Sequence, residues 1–278
     1  MTHVRGSFLI AVFVAAAACS SAPAAGGDRP RVVSLHDVTT ELVVALGATD
    51  RLVGVQDPVD LAPEAATAVK AVPRVGELET ILAARPTVVL GLGVVAEQSP
   101  ELVAALRARG IAVELADPAT LADVAALVRR VAASVGADAA AADAVVAPIE
   151  RTAPAAASPT APPVFVYDCC EPPFTAGGRT VLTDVIARAG GRNVFADVDA
   201  DWAHVSWEEA AARHPALIVV HDYAWGDQGD VAAKTAAVRK VPGLGDARIV
   251  VLPLGWSLGG LGSLRALARL REAIGELR

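Results

Sequence analysis

The sequence predicts an α/β protein of two lobes, each built on a parallel sheet, and three observations predict it. The first is a phrase that occurs twice. Glu79 stands seven residues before Pro86, with Thr87-Val88-Val89-Leu90 following; Glu208 stands seven residues before Pro215, with Ala216-Leu217-Ile218-Val219 following. Each copy reads as a short Ala-rich helix opened by an acid and stopped at proline, which lacks a donor and disfavours helical geometry in the residue before it. The second is the short, uninterrupted apolar run after each proline, which suits a strand covered on both faces. The third is the alternation of such runs with helical segments, the pattern of a parallel sheet flanked by helices. Two copies half a chain apart indicate duplication, and the matching acids imply one partner that grips both lobes.

The elements follow in order. Arg5 and an apolar run over residues 8–18 ending in small residues form a signal segment over 1–18. Its eleven apolar residues fall short of the roughly 20 that span a bilayer. Cys19 follows Ala16-Ala17-Ala18 and resembles a bacterial lipobox, with Ala16 where such sites usually carry Leu. Lipidation at Cys19 is expected, an ordinary cleaved signal being the alternative, and the small residues of 19–30 form a flexible tether. The N-terminal lobe covers 31–135. It opens with a strand at 31–35, a helix over 39–46 ended by Gly47, and a strand over 51–55. The first copy of the phrase, a helix over 101–109 closed by Gly110 and a strand over 112–115 complete it.

From residue 121 to about 152 the pattern is helical, interrupted at Gly136 and Pro148. A long helix joining the lobes is expected in its second part, within an interlobe segment of 136–160, with Pro148 kinking it. The C-terminal lobe covers 161–278. Val164-Phe165-Val166-Tyr167 opens it, a helix over 181–189 ends at Gly190-Gly191, the second copy follows, and a strand over 249–252 precedes a helix from about residue 261.

Composition bounds the function. After the signal about 255 residues remain, room for two ordinary lobes. With 54% hydrophobic and 20% charged residues, the chain belongs with folded globular proteins. The net charge of -7 has no basic tract, which argues against a nucleic-acid partner.

The mature chain resembles the bacterial type III periplasmic-type binding proteins that serve ABC importers of ferric siderophores, haem and cobalamin. The phrases that carry the resemblance are Thr40-Glu41-Leu42 through Ala45-Leu46-Gly47-Ala48, Arg51-Leu52-Val53-Gly54-Val55, and Glu79 with Arg85-Pro86. Pro172-Pro173-Phe174-Thr175-Ala176-Gly177, Gly190-Gly191-Arg192-Asn193-Val194-Phe195, and Trp202 followed by Val205-Ser206-Trp207-Glu208 complete the set. The resemblance implies two Rossmann-like lobes joined by a rigid helix, with a ligand cleft between them. It also implies that Glu79 and Glu208 dock onto arginines of a permease dimer. Two exposed carboxylates far apart fix orientation and steer encounter at little cost; as isolated features they read as first-turn acids favoured by the helix dipole.

The ligand-binding candidates come from both halves. His36, with its neighbour Asp37, follows the first strand, and His221 with Tyr223 follows the strand of the second copy, where cleft residues of such lobes lie. Either histidine is a candidate ligand for haem iron or a chelate. Phe174 and Trp202 match family positions that press on a large flat ligand; Pro173 belongs to the same loop, and Trp225 is placed at the cleft rim. Aromatics are only 4% of the chain, so each is informative. Trp207 reads as core, His204 as a neighbour of Trp202, and His214 as a helix cap. Cys169-Cys170 form either a vicinal disulfide or a reduced pair that binds a soft metal; two small buried side chains are the bland alternative.

Gly255-Trp256-Ser257-Leu258-Gly259 fits the G-x-S-x-G elbow of α/β-hydrolases. That fold needs an acid and then a histidine downstream, and no histidine follows Gly259. A triad is left only by borrowing an earlier histidine. The reading is therefore a monomeric, membrane-anchored, exported binding protein. It has no enzymatic activity and no resident cofactor, captures a metal chelate and hands it to an ABC permease and its ATPase. A ferric siderophore is the first expectation, cobalamin and haem follow, and a soft-metal lipoprotein and a Ser257 hydrolase are the rivals from other classes.

Overall fold

The runs read as buried strands form two four-stranded parallel sheets in the computed structural model, which describes residues 29–153, 158, 160–223 and 230–277. The signal segment, Cys19 and Trp225 lie outside the described residues. The first lobe comprises β1 (Val32–Ser34), α1 (Asp37–Ala45), β2 (Leu52–Val55), α2 (Pro63–Ala68), α3 (Leu78–Ala83), β3 (Val88–Leu92), α4 (Val94–Gln98), α5 (Pro100–Arg107) and β4 (Ala112–Ala116). Next come α6 (Leu121–Val135) and α7 (Ala139–Glu150). The second lobe holds β5 (Pro163–Tyr167), β6 (Phe174–Ala176), α8 (Val181–Arg188), β7 (Arg192–Asn193), β8 (Trp202–His204), α9 (Trp207–Ala212), β9 (Leu217–Asp222), α10 (Val231–Lys240), β10 (Arg248–Pro253) and α11 (Gly262–Gly275).

The duplication is written into the topology. The first sheet is ordered β2-β1-β3-β4 and the second β7-β5-β9-β10, so each lobe places its first strand beside its third. Every residue of β3 is buried, as are the first four of β9, which is why both runs lack polar interruptions until His221. β4, at an edge, alternates exposed and half-buried positions instead. In the two copies, α3 and α9 are both six residues long, and Glu79 and Glu208 are each the second residue of their helix. Arg85 and His214, the residues before the two prolines, share a φ of 48°. The chain leaves each helix through the same left-handed step, and His214 takes that position just after α9, its N–H donating to the Ala211 carbonyl.

The helical connection is a pair. Gly136, at φ 66°, ends α6 in the left-handed conformation that glycine adopts without strain. Asp138 then caps α7 by accepting from Ala141 N, and Pro148 sits in the last turn of that helix. The start of α6 is tied to the second lobe: Leu121 N donates to Asp184 Oδ2 at 2.8 Å, and Arg188 Nε donates to the same oxygen at 2.8 Å. One apolar core runs through both lobes, joining Leu42 and Val128 to Val164, Leu182 and Leu270. Separate clusters cover the outer faces, around Ile81 and Leu106 on one lobe and Phe165, Phe195 and Leu244 on the other.

Candidate ligand-binding cleft

In a sheet with this strand order, a crevice opens at the carboxyl ends of the strands where the chain direction switches. Both lobes turn that edge toward one cavity of about 390 Å³. His36, Glu41, Asp60 and Leu102 line it from the first lobe, and Leu254, Gly255 and Leu258 line it from the second.

His36 caps α1, its Nδ1 accepting from Val38 N at 3.1 Å. Its carbonyl accepts from the hydroxyls of Thr39 and Thr40, which also meet Ser34 Oγ. Burial lowers the imidazole pKa against the opposing pull of Asp37 and Asp117. The ring is therefore neutral, with Nδ1 committed as acceptor and the proton on Nε2. In that tautomer Nε2 carries the proton, so His36 as placed presents a hydrogen-bond donor to the cavity it lines. Asp37 lines the cavity and organises its wall: Oδ2 accepts from Val59 N at 2.8 Å and Asp60 N at 2.7 Å. Glu41 accepts from Ala62 N at 2.8 Å, and Asp60 Oδ2 accepts from Gly255 N of the other lobe at 2.7 Å. Burial pushes both Glu41 and Asp60 above the ordinary carboxylate range.

In the second lobe a buried network lies behind the cavity. Asp168 at the end of β5 faces His221 near the end of β9, Oδ1 to Nδ1 at 2.7 Å. His221 Nε2 meets Ser257 Oγ at 2.8 Å. Tyr223 donates to Asp168 Oδ2 at 2.6 Å, and its phenol pKa is raised by burial and by that carboxylate. Lys234 Nζ donates to the His221 carbonyl at 2.7 Å and sits 4.1 Å from the Tyr223 ring centroid; burial lowers its pKa. The serine–histidine–carboxylate chain that sequence order denies is thus assembled from an earlier histidine and aspartate. It is sealed, however: His221 is 0% exposed, Ser257 2% and Asp168 5%. His221, expected to reach a chelate, is placed in this sealed network with both ring nitrogens engaged. Tyr223 spends its hydroxyl on Asp168 in the same way.

The glycine run around Ser257 has a different purpose. A Cβ at Gly255 would lie 2.7 Å from Asp60 Oδ2, one at Gly259 2.2 Å from Pro118 Cγ, and one at Gly260 3.1 Å from Val38. Each glycine lets the backbone lie flush on the first lobe. The segment is an interlobe seam rather than a nucleophile elbow.

Phe174 and Trp202 stack with centroids 5.9 Å apart on the small antiparallel sheet of β6 and β8, and Trp202 turns an edge toward His221. They stand at the cleft edge of the second sheet without lining the cavity itself. His204 packs on Phe174 and meets the Pro172 carbonyl at 3.1 Å. Pro173 is buried, its carbonyl accepting from Val205 N. Trp207 joins the core against Phe165 and Tyr167, as its sequence context implies. Cys169 and Cys170 are joined to each other as a disulfide, the first buried and the second exposed at φ 78°. In that state they offer no thiolate to a soft metal. Among the described residues, no group of three or more His, Cys, Asp or Glu side chains is placed to hold a metal ion. Glu79 and Glu208 are exposed on their separate lobes. Sequence reasoning missed Glu41, Asp60 and Asp168; of these only Asp168, directly after a strand, sits where strand-end logic could have found it.

A family model described as periplasmic binding protein matches residues 32–247. The chain belongs to this family. The periplasmic binding proteins most similar in sequence include a vitamin B12-binding protein of Salmonella typhimurium, 34% identical over 69% of this chain and 72% of its own length. Another, from Photorhabdus laumondii, is 31% identical over 68% and 70% respectively. Among solved structures, the apo periplasmic heme-binding protein of Roseiflexus superposes with a TM-score of 0.70 at 27% identity, covering 90% of this chain and 99% of that one. A periplasmic binding protein of this type is the exported carrier of an ABC importer and works with its permease and ATPase; it is not an enzyme.

Proposed function

We propose that the protein captures a bulky metal chelate of neutral or positive charge, with a corrinoid of the cobalamin type ahead of a ferric siderophore. The observation that carries this reading is the charge of the cavity wall. Asp37, Glu41 and Asp60 line it, and no Lys or Arg stands among its described lining residues. Two of these carboxylates, Glu41 and Asp60, are already pushed up by burial and by neighbouring acids, Asp37 in both cases, so a further negative charge beside them is disfavoured. The propionates of haem and the net charge of a ferric tricatecholate therefore fit poorly. His36 Nε2 and its polar surroundings suit amide or hydroxamate oxygens on a ligand periphery, and the relatives named as vitamin B12-binding proteins point the same way. Phe174 and Trp202 supply an apolar face beside the cavity mouth, as binding clefts commonly do.

Delivery follows from the two copies of the repeated phrase: Glu79 and Glu208 dock onto a permease dimer while the protein itself stays a monomer held through acylated Cys19. The test is a titration followed by intrinsic tryptophan fluorescence, with cyanocobalamin, a ferric trihydroxamate, a ferric tricatecholate and haemin as ligands. Binding of cyanocobalamin or the trihydroxamate, with the two anionic chelates weaker, is the expected result. Preferential binding of haemin or the tricatecholate overturns it.

A further inference from the structure

The first lobe carries opposite charge at its two ends. Its strands are parallel, so the amino ends of β1, β2 and β3 lie together at the edge away from the cleft. Arg31 and Arg51 stand immediately before β1 and β2, Arg85 stands three residues before the start of β3, and Arg29 precedes them all. These four arginines line one concavity of about 640 Å³. Among its described lining residues a single carboxylate stands against them, Asp50, at 3.6 Å from Arg29 and 3.2 Å from Arg51, which leaves an excess of three positive charges there. Arg31 is fixed in place, donating through Nε to the Arg85 carbonyl at 2.9 Å and through Nη2 to the Ala84 carbonyl at 2.6 Å. Arg29 and Arg85 reach solvent, the Arg29 side chain being 79% exposed. In a chain of net charge -7, so local an excess of the other sign requires a reason.

We infer that this basic concavity rests on an anionic lipid surface, its guanidiniums meeting headgroup phosphates. Planar guanidiniums bind phosphate oxygens in pairs, and a juxtamembrane cluster of them is attracted to anionic leaflets. The covalent path favours a membrane over any other polyanion. Arg29 belongs to the patch, and Cys19 is ten residues before it, a reach of at most about 35 Å. A lipid at Cys19 keeps this face near the bilayer. The opposite orientation is reserved for the permease: Gly76, just before α3, lines the ligand cavity, whereas Arg85, just after it, lines the basic concavity. Glu79 and the arginines thus sit at opposite ends of one short helix. A carrier parked on its arginines presents an open cavity outward, and docking requires it to leave the lipid. This sequence of orientations rests on the importer reading; the lipid contact itself does not.

The test is co-sedimentation of the full chain carrying Cys19→Ser, so that no acyl group contributes. One set of vesicles contains phosphatidylglycerol in phosphatidylcholine and the other phosphatidylcholine alone. Binding to the first and not the second is expected, weakened by salt and by about fivefold for each arginine removed. Arg29→Glu with Arg85→Glu, which spares the anchored Arg31, should abolish it. Equal binding to both vesicles, unchanged binding by the double variant, or binding of inorganic phosphate without binding of vesicles overturns the inference. A tryptophan fluorescence titration with cyanocobalamin on the same double variant separates the two claims. Retained ligand binding with lost vesicle binding in that variant supports the patch, and a Cys19→Ser parent that binds anionic vesicles but gives no cyanocobalamin response sinks the ligand reading alone.

Discussion

Asp60 accepts a hydrogen bond from the amide of Gly255 at 2.7 Å, and the two residues belong to different lobes, 195 positions apart in the chain. The contact makes the seam sensitive to acid in a direction that burial dictates. Asp60 and Glu41 both have raised pKa values, chiefly through desolvation. Their protonated forms are favoured by folding, so the stability they contribute is fully present below the ordinary carboxylate range and is lost as pH rises through the raised values. The double variant Glu41→Gln, Asp60→Asn should therefore lack that acid-side gain. Melting temperatures from about pH 4 to pH 7 should show it relative to the parent, and identical pH profiles for the two proteins would refute it.

His36 behaves in the opposite sense. Its pKa is lowered by burial, so its contribution is present above the ordinary imidazole value and lost as pH falls through the lowered one. His36→Asn retains a capping side chain for α1 while removing the titration and the Nε2 donor. Chelate affinity should fall by about tenfold, as for one lost hydrogen bond to a buried partner, with the stability loss below about pH 6.5 flattened. Unchanged affinity in a fluorescence titration would remove His36 from the binding surface.

Gly259 holds φ 79° and lies against Pro118. An L side chain in that conformation costs roughly 1–2 kcal/mol before any overlap is counted, so Gly259→Ala should destabilise by about 2 kcal/mol or more. Gly245→Ala, whose new Cβ meets only a carbonyl at 3.5 Å, is the matched control and should stay within about 0.5 kcal/mol. Urea denaturation compares the two, and equal stabilities would mean that the seam yields without cost.

Removing one member of the buried chain leaves its partner unsatisfied. Ser257→Ala should cost about 1–3 kcal/mol and Asp168→Asn more, because His221 and Tyr223 both bond to that carboxylate. Hydrolysis of a nitrophenyl ester should match buffer alone in both the parent and Ser257→Ala. Esterase activity that disappears with Ser257 would show that the site opens to solvent.

Charge reversal at Glu79 and Glu208 together should abolish uptake into cells while the affinity of the purified protein for its chelate is unchanged. Uptake that survives the double reversal would leave the shared helix position without its assigned purpose.

How much of this was legible in the sequence depends on how far apart the cooperating residues lie. The repeated phrase was readable because its signals are local, a proline and the acid seven residues before it. The structure adds that Arg85 and His214 even share a φ value. His36 and Asp37 were placed in the cleft by strand-end logic, which works whenever a residue directly follows a central strand. The same logic could not foresee the partners of His221, because a position says where a side chain begins and not which neighbours claim it. Asp168 and Ser257 meet that ring from 53 and 36 residues away. No periodicity announces such a meeting. The glycine run, which the missing downstream histidine had already set apart from a hydrolase elbow, owes its need for glycine to Asp60, Val38 and Pro118 across the seam, contacts that no spacing announces.

The unbroken apolar interior that passes from Leu42 through Val128 to Leu182 and Leu270 has a further consequence for traffic at the membrane. Halves joined through a common interior are expected to move little against one another, so an empty shuttle and a laden one should present nearly the same silhouette. An importer would then tell them apart by touching the freight itself at the open rim.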